Sequence, residues 1–240
     1  MSLQAVLMCG GLGTRLRPWS YIIPKPLFPI GERPILQLLI EQLRKNGITE
    51  IYISVGYKGE LIEATLKDGS QLGVKLQYVY EDEPLGTAGS LNKLREKLQG
   101  PFLLMNGDLV TKLNFRKFFT FHQQRDAEIT IGTKAYEVQV PYGVIEDEGG
   151  HVTMMREKPA FSMQINAGIY LISLTALDLL PPEGRFDATQ LVQAAIDANR
   201  AVFSYPIEEY WLDIGRIEDY ERAQEDARNW LDEEKRATQQ

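Results

Sequence analysis

The stretch that most restricts this chain lies near its start. A short apolar run, Leu3–Cys9, leads straight into Gly10, Gly11 and Gly13, and Pro18, Pro24, Pro26 and Pro29 follow within 12 residues. Glycines at the end of a buried strand let backbone N–H groups approach phosphate oxygens closely. In a dinucleotide-binding unit a helix would begin at once and seat the pyrophosphate on its N-terminus. Here Leu16 stands where the third glycine of that fingerprint belongs, and the prolines forbid the helix. No Gly-Lys-Ser/Thr follows, so a P-loop is excluded too. What remains is a long, proline-stiffened loop carrying Arg15, Arg17 and Lys25. Three cations beside a glycine turn suit a triphosphate: arginine offers a planar fork of donors, lysine a compact point charge.

Beyond the loop, the first half alternates. Pro34–Asn46 reads as a helix, with proline in its first turn, Ile35, Leu38, Leu39 and Leu43 on one stripe, and Gly47 as its stop. Glu50–Val55, Val74–Tyr80 and Phe102–Met105 read as strands. Gly59–Lys67, Thr87–Leu98 and Phe115–Gln124 read as helices. In the second half Glu128–Lys134, Gly143–Glu146, His151–Glu157, Ile165–Ile172 and Ala201–Pro206 read as strands. Asp187–Asn199 and the charge-rich Ile217–Arg236 read as helices, the latter mostly solvated. This order predicts an α/β fold: a single Rossmann-like domain over residues 1–240, with a mixed, mostly parallel central sheet flanked by helices. Ligands bind beyond the carboxyl ends of such strands. Gly10–Pro18, Glu81–Gly89 and Asn106–Asp108 all fall there.

The net charge of −7 argues against a nucleic-acid surface, which needs a basic face. It leaves room for small phosphorylated ligands held by a few cations in a cleft. A single cysteine allows no internal disulfide and fits a reducing compartment. The N-terminus has no basic n-region, and no apolar run approaches a membrane span. A soluble cytoplasmic protein is therefore expected, with no membrane partner. Cys9 reads as a small core thiol, and the two histidines, His122 and His151, lack metal-ligand spacing.

The segment Gly10-Gly11-Leu12-Gly13-Thr14-Arg15-Leu16-Arg17-Pro18, followed by Pro24-Lys25-Pro26-Leu27, resembles the signature of nucleotidyltransferases that make NDP-sugars. The likeness continues through Leu85–Gly89, Asn106–Asp108, Tyr142–Val144, Glu157–Pro159, Asn166–Gly168 and Trp211–Gly215, in family order over residues 3 to 223. It implies a sugar-1-phosphate nucleotidyltransferase, most like mannose-1-phosphate guanylyltransferase, with an NTP and a sugar 1-phosphate as substrates and Mg²⁺ as cofactor. Residues 1–125 would form the nucleotide-binding half and 126–223 the sugar-phosphate half, with 217–236 as a terminal helix.

The same resemblance assigns roles. Arg15 would contact the triphosphate, and Lys25 would hold the α-phosphate region. Gly10, Gly11, Gly13 and Thr14 would cradle phosphates. Leu85, Gly86 and Thr87 would lie against base and ribose. Gly143, Glu157 and Asn166 would meet sugar hydroxyls, and Lys158 would grip the sugar phosphate. Asp108 and Asp213 would bind Mg²⁺, with Asp108 also counted as catalytic. Taken alone, Asp108 reads first as a capping or turn aspartate after a strand; its place after Phe102–Met105, with Asn106-Gly107, turns the reading to metal.

The chain departs from the family at Trp19-Ser20, where an apolar residue and threonine are usual, and at Cys9, where alanine is usual. Many relatives carry a further C-terminal domain, of which no sign is expected here. Leu12 and Asn106-Gly107-Asp108 look more like the guanylyl branch, with uridylyl, cytidylyl and thymidylyl transfer left open. A non-catalytic nucleotide-sugar sensor is the alternative from another class, and the retained charged residues speak against it. Homo-oligomers are common in the family, but no interface is legible in the chain.

Overall fold

The computed structural model describes residues 3–238, the last helix beyond residue 228 by its backbone alone. Residues 1, 2, 239 and 240 of the expected domain, and the side chains from 229 in the terminal helix, lie outside the described residues. The first half runs β1 (Gln4–Cys9), β2 (Pro29–Ile30), β3 (Arg33–Pro34), α1 (Ile35–Lys45), β4 (Glu50–Val55), α2 (Gly59–Leu66), β5 (Lys75–Tyr80), β6 (Phe102–Asn106), β7 (Leu109–Thr111) and α3 (Phe115–Gln124). The second half supplies β8 (Ile129–Gln139), β9 (Val144–Glu148), β10 (His151–Arg156), β11 (Ala160–Ile172), α4 (Ala188–Asp197), β12 (Val202–Pro206), β13 (Trp211–Asp213) and α5 (Ile217–Thr238).

Seven strands make one sheet in the order β12-β8-β11-β6-β1-β4-β5. Only β11 opposes its neighbours; the other adjacent pairs are parallel. This is the mixed, mostly parallel sheet expected from the alternation. Side chains of a strand point alternately to its two faces. Ala5, Leu7 and Cys9 of β1 therefore enter one core, packed with Leu39 and Leu43 of α1, Ile62 of α2 and Phe118 of α3. Val6 enters the other, with Leu91, Leu177, and Leu191 of α4. A third core is built from Leu16, Phe28 and Ile30 of the proline loop, Ile35, Val110, Leu212, Ile214, and Ala223 and Ala227 of α5. That core anchors the loop without a crossover helix. Trp19 joins it through an edge contact with Phe28 and a tilted contact with Tyr220, at 6.5 and 6.2 Å between ring centroids.

Three local readings change. The helix expected over Thr87–Leu98 is a 3-10 segment, Gly89–Leu94. The amides of Ala88 and Gly89 donate to the Phe186 carbonyl rather than starting an α-turn. β8 and β11 outrun their expected ends, because their outer halves leave the core and carry no burial pattern. There they form a two-stranded arm that pairs Tyr136 with Met163 and Val138 with Phe161. The short strands β7 and β13 have no counterpart in the sequence reading. They pair antiparallel, setting Asp213 opposite Leu109.

Candidate active site

A cleft of about 750 Å³ opens beyond the carboxyl ends of β1, β4, β5 and β6. Each strand contributes its next or last residue to the lining: Gly10, Gly56, Glu81 and Asn106. Gly11, Gly13, Thr14, Arg15, Lys25, Gly86, Thr87 and Asp108 line it as well. The glycine-loop residues, two of the three loop cations (Arg15 and Lys25) and one expected metal ligand thus share one cavity, whereas Arg17 is not in its lining. Gly13 needs to be glycine, because it is left-handed (φ 60°) and a Cβ there would stand 3.2 Å from the Cβ of Ser20. A Cβ at Gly11 would meet nothing within 4 Å, so the loop leaves open space at that point.

Lys25 is the electrostatic centre. It is 8% exposed, pairs directly with Asp108, and lies 3.7 Å from Asp213. Asp213 does not line the cleft; its place beside Lys25 and Asp108 comes from the β7–β13 pairing, and Ile214 N donates to the Asp108 carbonyl at 3.3 Å. Burial, and then the negative charge of Asp108, push the Asp213 carboxyl above its ordinary range, while Lys25 and Arg15 oppose that shift. The second oxygen of Asp108, Oδ1, is buried without a hydrogen-bond partner among the described residues. An orphaned carboxylate oxygen is costly to keep unless something compensates it. A hard cation would compensate that oxygen, with the Asp213 carboxylate as the neighbouring oxygen donor, but no group of three or more acidic, His or Cys side chains that could hold a metal ion occurs among the described residues. Cys9 lines the same floor, and burial, then Asp108 and Glu81, push its thiol well up. It stays a protonated core thiol, as expected, and a Cβ at Gly107 would overlap its sulfur.

The opposite wall joins the expected Leu85–Thr87 segment to a second loop, residues 185–187, that was not legible as part of a site. Thr87 N donates to Asp187 Oδ1 at 3.1 Å, Thr87 Oγ1 accepts from Ala188 N at 2.7 Å, and Phe186 N donates to the Leu85 carbonyl at 2.9 Å. Gly86 is left-handed (φ 75°) and packs on Phe186 and Asp187. The segment Leu85–Thr87 is thereby held by a loop a hundred residues away. Leu85 itself is not part of the lining. Arg185 is a third cation in the cleft, and no motif marks it. Glu81 accepts from Ser54 Oγ at 2.6 Å and Leu85 N at 3.0 Å, closing the cleft floor with a fixed carboxylate. Its position at the end of β5 was the available signal.

The four residues expected to meet the sugar phosphate stand apart from this lining. Gly143, Glu157 and Lys158 are exposed on or beside the β9–β10 hairpin. Gly143 and Glu157 are neighbours: a Cβ at Gly143 would lie 3.2 Å from Glu157 Oε2. Lys158 is left-handed (φ 44°). Asn166 bonds Tyr170 Oη at 2.6 Å and the Gly168 amide at 2.9 Å, and Gly168 packs on Asn106 in the cleft. Asn166 therefore reaches the cleft through one intermediary, and the other three do not join it.

The sequence model of the family described as "Nucleotidyl transferase" matches residues 4–229. The chain belongs to this nucleotidyl transferase family. It is 36% identical to the probable mannose-1-phosphate guanylyltransferase 1 of Oryza sativa subsp. japonica, over 91% of this chain and 63% of that protein. It is 31% identical to a UTP–glucose-1-phosphate uridylyltransferase of Synechocystis sp., over 92% of this chain and 62% of that one. The chain thus spans a little over three fifths of these curated relatives. Among solved structures, HddC from Yersinia pseudotuberculosis complexed with GMP-PN superposes with a TM-score of 0.73 at 28% identity, covering 93% of this chain and 99% of the other. The nucleotidyl transferase fold expected from the motifs is the fold observed. No helix among the described residues is long and apolar enough to cross a membrane.

Proposed function

We propose that the chain transfers a nucleoside monophosphate from an NTP to a sugar 1-phosphate, releasing pyrophosphate and an NDP-sugar. The observation that carries this is the single cleft in which a glycine loop, Arg15, Lys25 and Asp108 meet at four strand ends. A sugar-phosphate oxygen attacks the α-phosphorus in line; the new P–O bond forms as the α–β bond breaks. The nucleophile's second pKa is about 6, so it is ionised at neutral pH and no general base is needed. What the site has to do is bring two polyanions together and stabilise the charge that moves to pyrophosphate.

The residues divide that work. Gly10, Gly11, Gly13 and Thr14 cradle the phosphates with backbone amides, Arg15 takes the departing pyrophosphate, and Lys25 holds the α-phosphate. Leu85, Gly86 and Thr87 shape the base and ribose pocket. In the arm, Lys158 grips the sugar phosphate, and Gly143, Glu157 and Asn166 meet the sugar. Residues 1–125 and 126–223 thus serve the two substrates. Asp108 and Asp213 would hold Mg²⁺, which supplies charge neutralisation between phosphates.

GTP is the favoured nucleotide, supported by the guanylyltransferase relative and by the GMP-PN complex of the superposed structure. UTP is the second reading, from the uridylyltransferase relative. A cytoplasmic setting suits these substrates, and the net charge of −7 disfavours nucleic acid. The test is a matrix of NTPs against sugar 1-phosphates, read as pyrophosphate release with and without Mg²⁺. Release with GTP and one sugar phosphate, and only with both present, is expected. Tight NDP-sugar binding without turnover across the matrix would replace the enzyme by a sensor.

A further inference from the structure

The turn between β4 and α2 touches the phosphate loop at both ends. At one end Gly56 packs on Gly10, where an added Cβ would stand 3.2 Å from the Gly10 carbonyl oxygen. At the other, Lys58 Nζ donates to the carbonyls of Tyr21 at 2.6 Å and Ile22 at 2.9 Å. These carbonyls close the 3-10 turn Trp19–Tyr21, whose own bonds run from the Ile22 and Ile23 amides to the Trp19 carbonyl. Carbonyls at the end of a helical turn have no partner within it and carry partial negative charge. An ammonium placed there makes two charge-assisted bonds at once.

The braced turn is coupled to the cleft. Ser20, its middle residue, is 2% exposed, and its Cβ sits 3.2 Å from where a Gly13 Cβ would be. The same point is 3.5 Å from Lys25 Cβ. Ser20 and Lys25 therefore crowd the same point beside Gly13, so a shift of Trp19–Ile22 bears on the glycine loop next to the lysine that pairs with Asp108. Lys58 holds its place in a left-handed backbone conformation (φ 57°, ψ 32°), which lysine adopts less readily than glycine or asparagine. Its side chain is what lysine adds at that position.

We propose that Lys58 is a positioning residue: it braces the triphosphate loop from outside and so sets NTP affinity without touching the reacting atoms. This rests on the reading of the cleft as an NTP site. Lys58→Met keeps the stem and deletes the ammonium; Lys58→Arg restores a donor. Loss of two charge-assisted bonds to a binding loop predicts a KM for the NTP about tenfold higher in Lys58→Met, with kcat within about twofold. KM for the sugar phosphate stays unchanged, and Lys58→Arg recovers most of the loss. An unchanged KM for the NTP, or an arginine variant as impaired as the methionine one, overturns the brace. Lys58→Gly guards against misfolding, since it relieves the left-handed backbone; it should lose NTP affinity equally at an equal or higher thermal midpoint. If the unsubstituted protein turns over no substrate pair, the proposed reaction fails and the brace is read by amide hydrogen exchange. Exchange over residues 19–25 then rises about tenfold in Lys58→Met at an unchanged thermal midpoint. Unchanged exchange there overturns it.

Discussion

The cleft and the β8–β11 arm carry the two halves of the same expected site in opposite ways. The cleft is assembled from the ends of four parallel strands, and its key lysine is buried between two aspartates. The arm is the outer halves of β8 and β11, continued by the separate β9–β10 hairpin, with Gly143, Glu157 and Lys158 exposed on or beside that hairpin. A residue at the end of a core strand is held by the core. A residue on an exposed ribbon is held only by its own ladder, because two strands without a packed face are marginal. Fixed charge belongs in the first setting, and an adaptable substrate contact can be carried by the second.

The largest effect should come from breaking the cleft. Lys25→Ala and Asp108→Asn are each expected to lower turnover about 10²–10³-fold, the scale of losing one preorganised charge contact at a reacting phosphate. Circular dichroism should report an intact fold; full activity in the Asp108 variant would remove the metal assignment.

A smaller effect should come from the arm. Lys158→Ala is expected to raise KM for the sugar phosphate about tenfold while leaving KM for the NTP alone. A rise in the NTP constant instead would erase the division of labour between cleft and arm.

The smallest effect concerns the root of the arm. His122 of α3 is 2% exposed and bonds Thr130 of β8 at 2.8 Å and Ser173, just after β11, at 3.2 Å. Burial holds its pKa below the ordinary imidazole value. The unfolded chain then binds the proton more readily than the folded one. Stability is complete above a pH of about 6.5 and declines as pH falls toward the folded value, by at most about 1.4 kcal/mol per pH unit. Thermal midpoints of the unsubstituted protein and His122→Gln between about pH 5 and 7 check this: the slope should be shallower in the variant.

Much of this was legible in the sequence because it was local. The glycines after β1 declared a backbone approach, and the four prolines declared that no helix would follow. Alternation of strands and helices declared the parallel sheet and, with it, the end at which a ligand binds. Lys25 and Asp108 could be named from their motifs. Other features depend on pairing between distant segments. The helix expected at Thr87 became 3-10 because the Phe186 carbonyl takes its first amides. Arg185 and Asp187 entered the cleft wall through the same loop, with no motif to mark them.

The glycine loop, its cations and the chain's family were thus determined by sequence alone, since each rests on what a few consecutive residues permit the backbone to do. Tertiary structure decided how the charges are shared. Asp213 reaches Lys25 only because β13 pairs with β7, about a hundred residues earlier in the chain. Lys58 reaches the Tyr21 and Ile22 carbonyls only because α2 begins beside the loop. Burial and pairing set the strength of a charge, and both are properties of the folded neighbourhood rather than of the residue.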